Sequence, residues 1–354
     1  MSIRIATFNA NNLFSRWSFE AELPRTLSDK ALPTLNASAG EAAGVAGNAA
    51  TGAQPVPTPE VVEVTVPGDT PLTGVLRTFQ GRLVRGKDPK ARDWIARRIA
   101  ALDADVLCLQ EVEDQDALDA FHRDDLAKRG IQYPFRVVVE GNDRRRIDVA
   151  LCSRLPITRI SSWRFWPGAD GSAVFSRDLL QAEVTAPDGK PLRIFVNHLK
   201  SQFIQDEFKL SAAEVEEERA RIDARRTAQA VAIRTILRRL RMTSRVVMTG
   251  DMNDAPDSPT LAALADAGLV EQVGTGTTIP GPKRNGAMTE DAFGDLSPHM
   301  WTNRHRAKGV TSFNLFDQIW TSPDLPVAAA HVMRRTQISG DGSDHDPACV
   351  DLDL

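Results

Sequence analysis

The stretch Arg245-Val246-Val247-Met248-Thr249-Gly250-Asp251-Met252-Asn253-Asp254 passes from a short apolar segment straight into glycine, carboxylates and an amide. A run of this length and character reads as a β-strand at 245–249, and the polar residues then stand at its end. A strand end is where a rigid scaffold can aim side chains at a substrate. Asp251 and Asn253 lie two residues apart, so in an extended exit both point the same way and can serve one site.

Working outward, the same event recurs at five other places. Asn9 follows the alternating strand Ile3–Phe8, and Gln110-Glu111 closes the strand Asp105–Gln110. Asn197-His198-Leu199-Lys200 ends Leu192–Asn197, Asp317 interrupts Phe316–Thr321, and Ser343-Asp344-His345-Asp346 precedes Ala348–Leu352. Further strands are expected at Phe135–Glu140, Ile147–Ser153 and Leu179–Thr185, with Pro187-Asp188-Gly189-Lys190 as a hairpin turn. Trp94, Ile95, Ile99 and Leu102 recur at helical spacing, and a long helix is expected within Ser211–Arg241, where Ala230, Ile233, Ile236, Leu237 and Leu240 form one face. Acidic and basic residues interleave before Arg225, which favours a solvated outer helix over a nucleic-acid-binding one. Taken singly, each polar stop has an ordinary explanation as a turn cap or an exit to solvent. Their ordered combination carries the information.

With 354 residues and 42% hydrophobic content the chain can bury a sizeable core. Its 47 acidic and 43 basic residues leave a formal charge of −4, which argues against a protein that coats nucleic acid with a globally basic surface. A phosphoester substrate remains compatible, because a cation held by carboxylates can supply positive charge locally. Residues 36–57 hold Glu41 as their one charge and are dominated by Ala, Gly, Ser, Thr and Pro, so a flexible insertion at about 25–75 is expected within a single domain spanning 1–354. Cys108, Cys152 and Cys349 each lie in an apolar run without zinc-ligand spacing and read as buried thiols. No secretory signal is visible in Met1–Ala6, and no apolar run approaches the about 18 residues of a membrane span, so a cytoplasmic enzyme without stable membrane association is expected.

The ordered series resembles the endonuclease/exonuclease/phosphatase superfamily, which includes DNase I-like nucleases, abasic-site endonucleases, neutral sphingomyelinases and inositol polyphosphate 5-phosphatases. The resemblance runs from Asn9 to His345 and implies a four-layer α/β sandwich, two mixed sheets face to face with helices outside. It implies Mg²⁺ or Mn²⁺ as cofactor, with Glu111 as a hard oxygen ligand and Asn9 and Asp344 beside it. It also implies catalytic roles for Asp251, Asn253, His198, His345 and Asp317. Asp251 would activate or orient water, Asn253 would hold a phosphate oxygen, and Asp317 would orient His345. His345 could act as a base or bind phosphate as imidazolium, and the sequence leaves both open. Arg177, Asn11 and Lys200 are expected near the phosphate, Arg177 either in contact or as a brace.

His198 resembles the nuclease and sphingomyelinase branches. Asp148 is its candidate carboxylate partner, unless that carboxylate is satisfied by the arginines at 144–146. The remaining histidines, at 122, 299, 305 and 331, match no motif and read as surface or loop residues. Tyr133 does not sit where abasic-site enzymes carry their active-site tyrosine. The expected activity is a metal-dependent phosphodiesterase, with nucleic acid as the phosphoester substrate. The alternatives are a phosphatase, a sphingomyelinase-like phospholipid phosphodiesterase, and a non-catalytic interaction module.

Overall fold

The computed structural model describes residues 2–15, 86–204, 206–242, 244–282, 300–307, 310–335 and 342–354, together with the strand backbones Trp17–Ala21, Glu60–Val64, Leu72–Leu76 and Gly81–Arg85. The chain divides into two compact units. The smaller, Arg16–Arg85, contains two antiparallel pairs, Trp17–Ala21 with Gly81–Arg85 and Glu60–Val64 with Leu72–Leu76. The second pair falls inside the expected 25–75 insertion; residues 36–57 and His299 lie outside the described residues.

The larger unit, Met1–Ser15 with Gly86–Leu354, is built on two sheets. The seven-stranded sheet runs in the order Thr277–Pro280, Val327–Arg334, Ala348–Asp353, Ser2–Leu13, Val106–Val112, Asp148–Ser153, Phe135–Val139. The six-stranded sheet runs Val270–Glu271, Asp317–Thr321, Val246–Asp251, Pro191–His198, Leu180–Thr185, Ile157–Ser162. Both mix parallel and antiparallel pairs: 2–13 is parallel to 106–112 and antiparallel to 348–353, and 246–251 is parallel to 191–198 and antiparallel to 317–321.

Alternation along each strand builds the layers. Ile3, Ile5, Val106, Cys108, Val149 and Leu151 of one sheet meet Ala182, Ile194, Val196, Val247 and Ile319 of the other in the central core. The opposite faces, Ala6, Phe8, Leu107 and Leu109 on one sheet and Phe195, Met248 and Trp320 on the other, are covered by helices. The first group packs on Ile95, Ile99 and Leu102 of the helix Pro89–Leu102, the second on Ile233, Ile236 and Leu237 of Ala212–Arg239. This is a DNase I-like α/β sandwich of four layers.

Local chemistry starts each helix. The Asp88 carboxylate accepts from the Lys90 and Ala91 amides ahead of Pro89, and Ser211 and Glu214 form a reciprocal capping box. All three cysteines are buried in strands and unpaired. His122 corrects the reading of the unmatched histidines: it is buried, and its Nε2 accepts from the Tyr133 amide at 3.0 Å. Among the described residues no helix is long and apolar enough to cross a membrane.

Candidate active site

The inward-facing rows change character at one end of the sandwich. Ile3 and Ile5 give way to Thr7 and Asn9, Val106 and Cys108 to Gln110, Ile194 and Val196 to His198, and Val247 to Thr249 and Asp251. Register brings these ends together: Asn9 pairs with Gln110, His198 with Asp251, and Asp251 with Asp317. Thr7 and Gln110 exchange side-chain hydrogen bonds, which closes the apolar core beneath the polar residues.

Asp251 lies at the centre. Its Oδ2 accepts from Asn9 Nδ2 at 2.9 Å and stands 3.5 Å from His198 Nε2 and 3.9 Å from His345 Nε2. Its Oδ1 accepts from the Asn253 amide at 2.9 Å, so the Asp-x-Asn spacing produces a local turn that orients the carboxylate. Gly250 makes this approach possible. It adopts φ 140°, and a Cβ there would stand 1.9 Å from the Asn197 carbonyl oxygen. Gly250→Ala is therefore expected to cost about 2–4 kcal/mol of stability, from strain and overpacking combined. Chemical denaturation of the two proteins measures it.

His345 Nδ1 lies 2.6 Å from Asp317 Oδ2, and the Asn303 side-chain amide faces Nε2 at 3.1 Å. Burial opposes a charge on this ring, but the Asp317 and Asp251 carboxylates outweigh it and hold the imidazole well above its ordinary range. With Nε2 protonated, the Asn303 amide must present its oxygen. The loop carrying His345 is fixed from both sides. Ser343 Oγ donates to the Asn9 carbonyl at 2.7 Å and accepts from the His345 amide, while Arg98 pairs with Asp346 at 2.6 Å and donates to the His345 carbonyl. Arg334 and Arg335 also reach Asp346, whose pKa is lowered by these arginines against its burial.

The second histidine has the opposite environment. His198 is pushed well below the usual imidazole range by burial and then by the charges of Arg177, His345, Arg145 and Lys200, so it is neutral near pH 7. Burial also raises Asp251, with Asp317 adding to the effect while His345 and the Asn9 amide oppose it. The site thus holds one cationic and one neutral imidazole on either side of a single carboxylate. Environments that push neighbouring groups apart in this way are a recurrent means of assigning acid and base roles.

Glu111 reaches the site through a break in regularity. Register shifts between Gln110 and Val112 and between Asn9 and Leu13 place Asn11, Asn12 and Glu111 at φ 47°, 59° and 63°. Strict alternation would put Glu111 on the helix-covered face with Leu107 and Leu109; the bulge re-aims it. Its Oε2 accepts from the Asn12 amide at 2.9 Å and its Oε1 lies 3.4 Å from Asn9 Nδ2. A glutamate in the left-handed region costs of order 1–3 kcal/mol and persists where the surroundings over-determine it. Asn11 Nδ2 donates to Asp344 Oδ1 at 2.7 Å, its amide donates to Asn9 Oδ1, and its carbonyl accepts from the Lys87 ammonium. Burial lowers the Lys87 pKa to about 8, against the charges of Glu111 and Asp344.

Among the described residues no group of three or more His, Cys, Asp or Glu side chains forms a metal cage. Glu111 and Asp344 nevertheless fit Mg²⁺ or Mn²⁺, which take one or two protein carboxylates and fill their remaining positions with water and phosphate oxygens.

Other expected residues take supporting positions. Arg177 is buried, donates to the Leu199 carbonyl at 3.2 Å and pairs with Asp143 at 3.2 Å, as a brace would. Asn253 Nδ2 also donates to the Leu199 carbonyl. Lys200 Nζ donates to the Ser201 carbonyl, and its pKa falls to about 8 through burial and the charges of Arg177 and Arg145.

The expected pairing of Asp148 with His198 is corrected. Asp148 Oδ1 accepts from the Gly141 amide at 2.8 Å, and the carboxylate beside His198 is Asp251. Arg145 pairs with Asp143 and Arg146 with Glu140. Sequence reasoning missed Lys87, Arg98 and Asn303, and gave no role to Asn12 or Ser343. Asn303 comes from a hairpin, Asn303–Ala307 with Val310–Asn314, whose short polar strands carry no strong periodicity.

A sandwich with a polar centre of carboxylates, amides and two histidines at one end defines the class of a DNase I-like phosphoesterase. The chain belongs to the Endonuclease/Exonuclease/phosphatase family, whose profile matches residues 81–345. It is similar in fold to a family member from Bacteroides thetaiotaomicron, at 14% identity and TM-score 0.52, over 99% of this chain and 98% of that one. Members from Bacteroides vulgatus and Leptotrichia buccalis each match at 14% identity and TM-score 0.50 over 75% of this chain and over 90% and 93% of theirs. No curated protein matches this chain. Family membership supports phosphoesterase chemistry of the nuclease type.

Proposed function

We propose that this chain is a divalent-metal-dependent phosphodiesterase acting on nucleic acid, with Asp251 at its centre. The observation that carries this reading is the placement of Asp251 between neutral His198 and cationic His345, with Glu111 and Asp344 close by on the same end of the sandwich. Mg²⁺ or Mn²⁺ held by Glu111 and Asp344, with Asn9 alongside, would supply positive charge at the phosphate and lower the pKa of bound water.

The chain's own groups account for the rest. Ionised Asp251 orients a water for attack on phosphorus and takes up its proton, a role suited to a carboxylate whose pKa is raised toward neutrality; as the new P–O bond forms, the P–O bond to the leaving group breaks and its oxygen departs with the bonding pair, to be protonated from solvent. His345, kept cationic by Asp317, stabilises negative charge gathering on the phosphoryl oxygens. His198 is neutral and buried, and it donates from one ring nitrogen to the same group. Asn9 and Asn253 hold Asp251 in place through both of its oxygens.

The test is conversion of supercoiled plasmid to the nicked form by wild type with Mg²⁺, with Mn²⁺ and with excess chelator. Nicking that requires metal supports the reading, and intact plasmid under every condition removes DNA as the substrate.

A further inference from the structure

The corner that carries Glu111 and Asp344 already contains a cation. Lys87 is 7% exposed, and its ammonium donates to the Asn11 carbonyl. Asn11 donates through its own side chain to Asp344 Oδ1 at 2.7 Å, and the Asn12 amide donates to Glu111 Oε2 at 2.9 Å. One left-handed turn, Asn11-Asn12, therefore touches the ammonium and both carboxylates.

The backbone holds Lys87 from both sides. Gly86 passes so close to Phe14 that a Cβ on it would stand 2.6 Å from the Phe14 Cβ, and the Phe14 amide donates to the Asn12 carbonyl at 2.8 Å, which ties that contact to the same turn. On the other side Asp88 caps the helix Pro89–Leu102. The ammonium is thus delivered from a rigid helix entry into the turn that links the two carboxylates.

This is an uncommon setting for a lysine. A buried ammonium is ordinarily paired with a carboxylate, yet among the described residues Lys87 forms no direct ion pair. Burial opposes its charge, and the fields of Glu111 and then Asp344 favour it. The asparagine contacts leave lone pairs on both carboxylates, so the ammonium draws on their charge without filling the positions that a divalent ion needs. A neutral donor would satisfy the Asn11 carbonyl equally well. A charged one also repels whatever cation enters the corner. Coupling between two bound groups is reciprocal, so the support that the carboxylates give the ammonium is withdrawn when a divalent ion takes them up, and the affinity for that ion falls by the same factor.

We propose that Lys87 is a built-in cation that competes electrostatically with the divalent metal and so sets the free-metal concentration at which the site loads. This rests on the metal-dependent reading of the site and adds its regulation. A unit charge beside a divalent ion in a protein interior is enough to change its affinity roughly 10-fold or more.

The experiment is Mn²⁺ titration followed by electron paramagnetic resonance, at neutral pH and without substrate, on wild type, Lys87→Met, Lys87→Gln, Lys87→Arg and Glu111→Gln. Bound Mn²⁺ loses the sharp signal of the free ion, so affinity is read without turnover. Both uncharged variants are expected to bind Mn²⁺ roughly 10-fold or more tightly than wild type, and Lys87→Arg to stay within about threefold of it. Glu111→Gln is expected to bind far more weakly. Local disruption loosens a metal site, so tighter binding reports the charge and not the shape. Thermal melts show which variants fold, and either uncharged variant decides the matter if the other does not. Unchanged or weaker Mn²⁺ binding in the folded uncharged variants overturns the proposal, as does equal tightening in Lys87→Arg. No Mn²⁺ binding by wild type, or binding untouched by Glu111→Gln, sinks the metal reading beneath it as well. Binding that Glu111→Gln weakens and the uncharged Lys87 variants leave alone sinks only the role of Lys87.

Discussion

Asp251→Ala is expected to lower phosphodiester hydrolysis about 10³–10⁴-fold in kcat with a much smaller change in KM. The carboxylate faces both histidines and the Asn9 amide at once, so its removal takes away the water-orienting acceptor and one of the charges, with those of Asp317 and Asp344, that keep His345 cationic. Remote parts of the substrate meet the enzyme elsewhere, which is why binding should survive. The fold should survive too, because a carboxylate raised in pKa by burial is held at a cost to stability, and that cost is relieved when it is removed. Steady-state kinetics beside a thermal melt separate the two effects. A variant within tenfold of wild type would show that the strand-end cluster is not the hydrolytic centre.

Asp317→Asn is expected to reduce the rate at pH 8 about 10²–10³-fold and to move the pH profile toward acid. The sign follows from the two neighbours of Asp317. Its charge raises His345 against the pull of burial, and it also raises Asp251. Activity requires Asp251 ionised and His345 protonated, so the rising limb of the profile belongs to Asp251 and the falling limb to His345, as coupled macroscopic values. Without the Asp317 charge both limbs shift to lower pH, and the loss is largest on the alkaline side, where His345 now gives up its proton. The asparagine preserves a hydrogen-bond partner for Nδ1 at the 2.6 Å contact, which separates charge from shape. A profile that falls in height without moving would contradict the account of His345 as a cation.

Much of this site was legible in the sequence because it obeys strand periodicity. Asn9, Gln110, His198, Asp251 and Asp317 all stand at the ends of apolar alternating runs, and the fold brings those ends together by ordinary register. Most of the strands and both outer helices follow from the same patterns, whereas the sandwich of two sheets follows only from the family resemblance.

What escaped the reading depends on departures from pattern. The bulge at Glu111 and the left-handed turns at Asn11 and Asn12 change which way side chains point, and no periodicity announces them. Asp148 looked like a partner for His198 because it sits in an apolar strand, yet alternation says nothing about which buried polar group meets which; a nearby loop amide, Gly141, took its oxygen. Lys87 was invisible because its cue is position in space: it follows the small unit in sequence and inserts beside Asn11, far from any motif. Asn303 was hidden by a short polar hairpin, and His122 by lying in a helical turn whose burial comes from its neighbours.

The most direct test of the central claim is hydrolysis of bis(4-nitrophenyl) phosphate by the wild-type protein in ¹⁸O-labelled water, with Mg²⁺ or Mn²⁺ and with excess chelator, followed by mass spectrometry of both products. The account predicts metal-dependent turnover in which the label enters 4-nitrophenyl phosphate, the mark of water attacking phosphorus. Label in the released nitrophenol, or no turnover under any of these conditions, would contradict it.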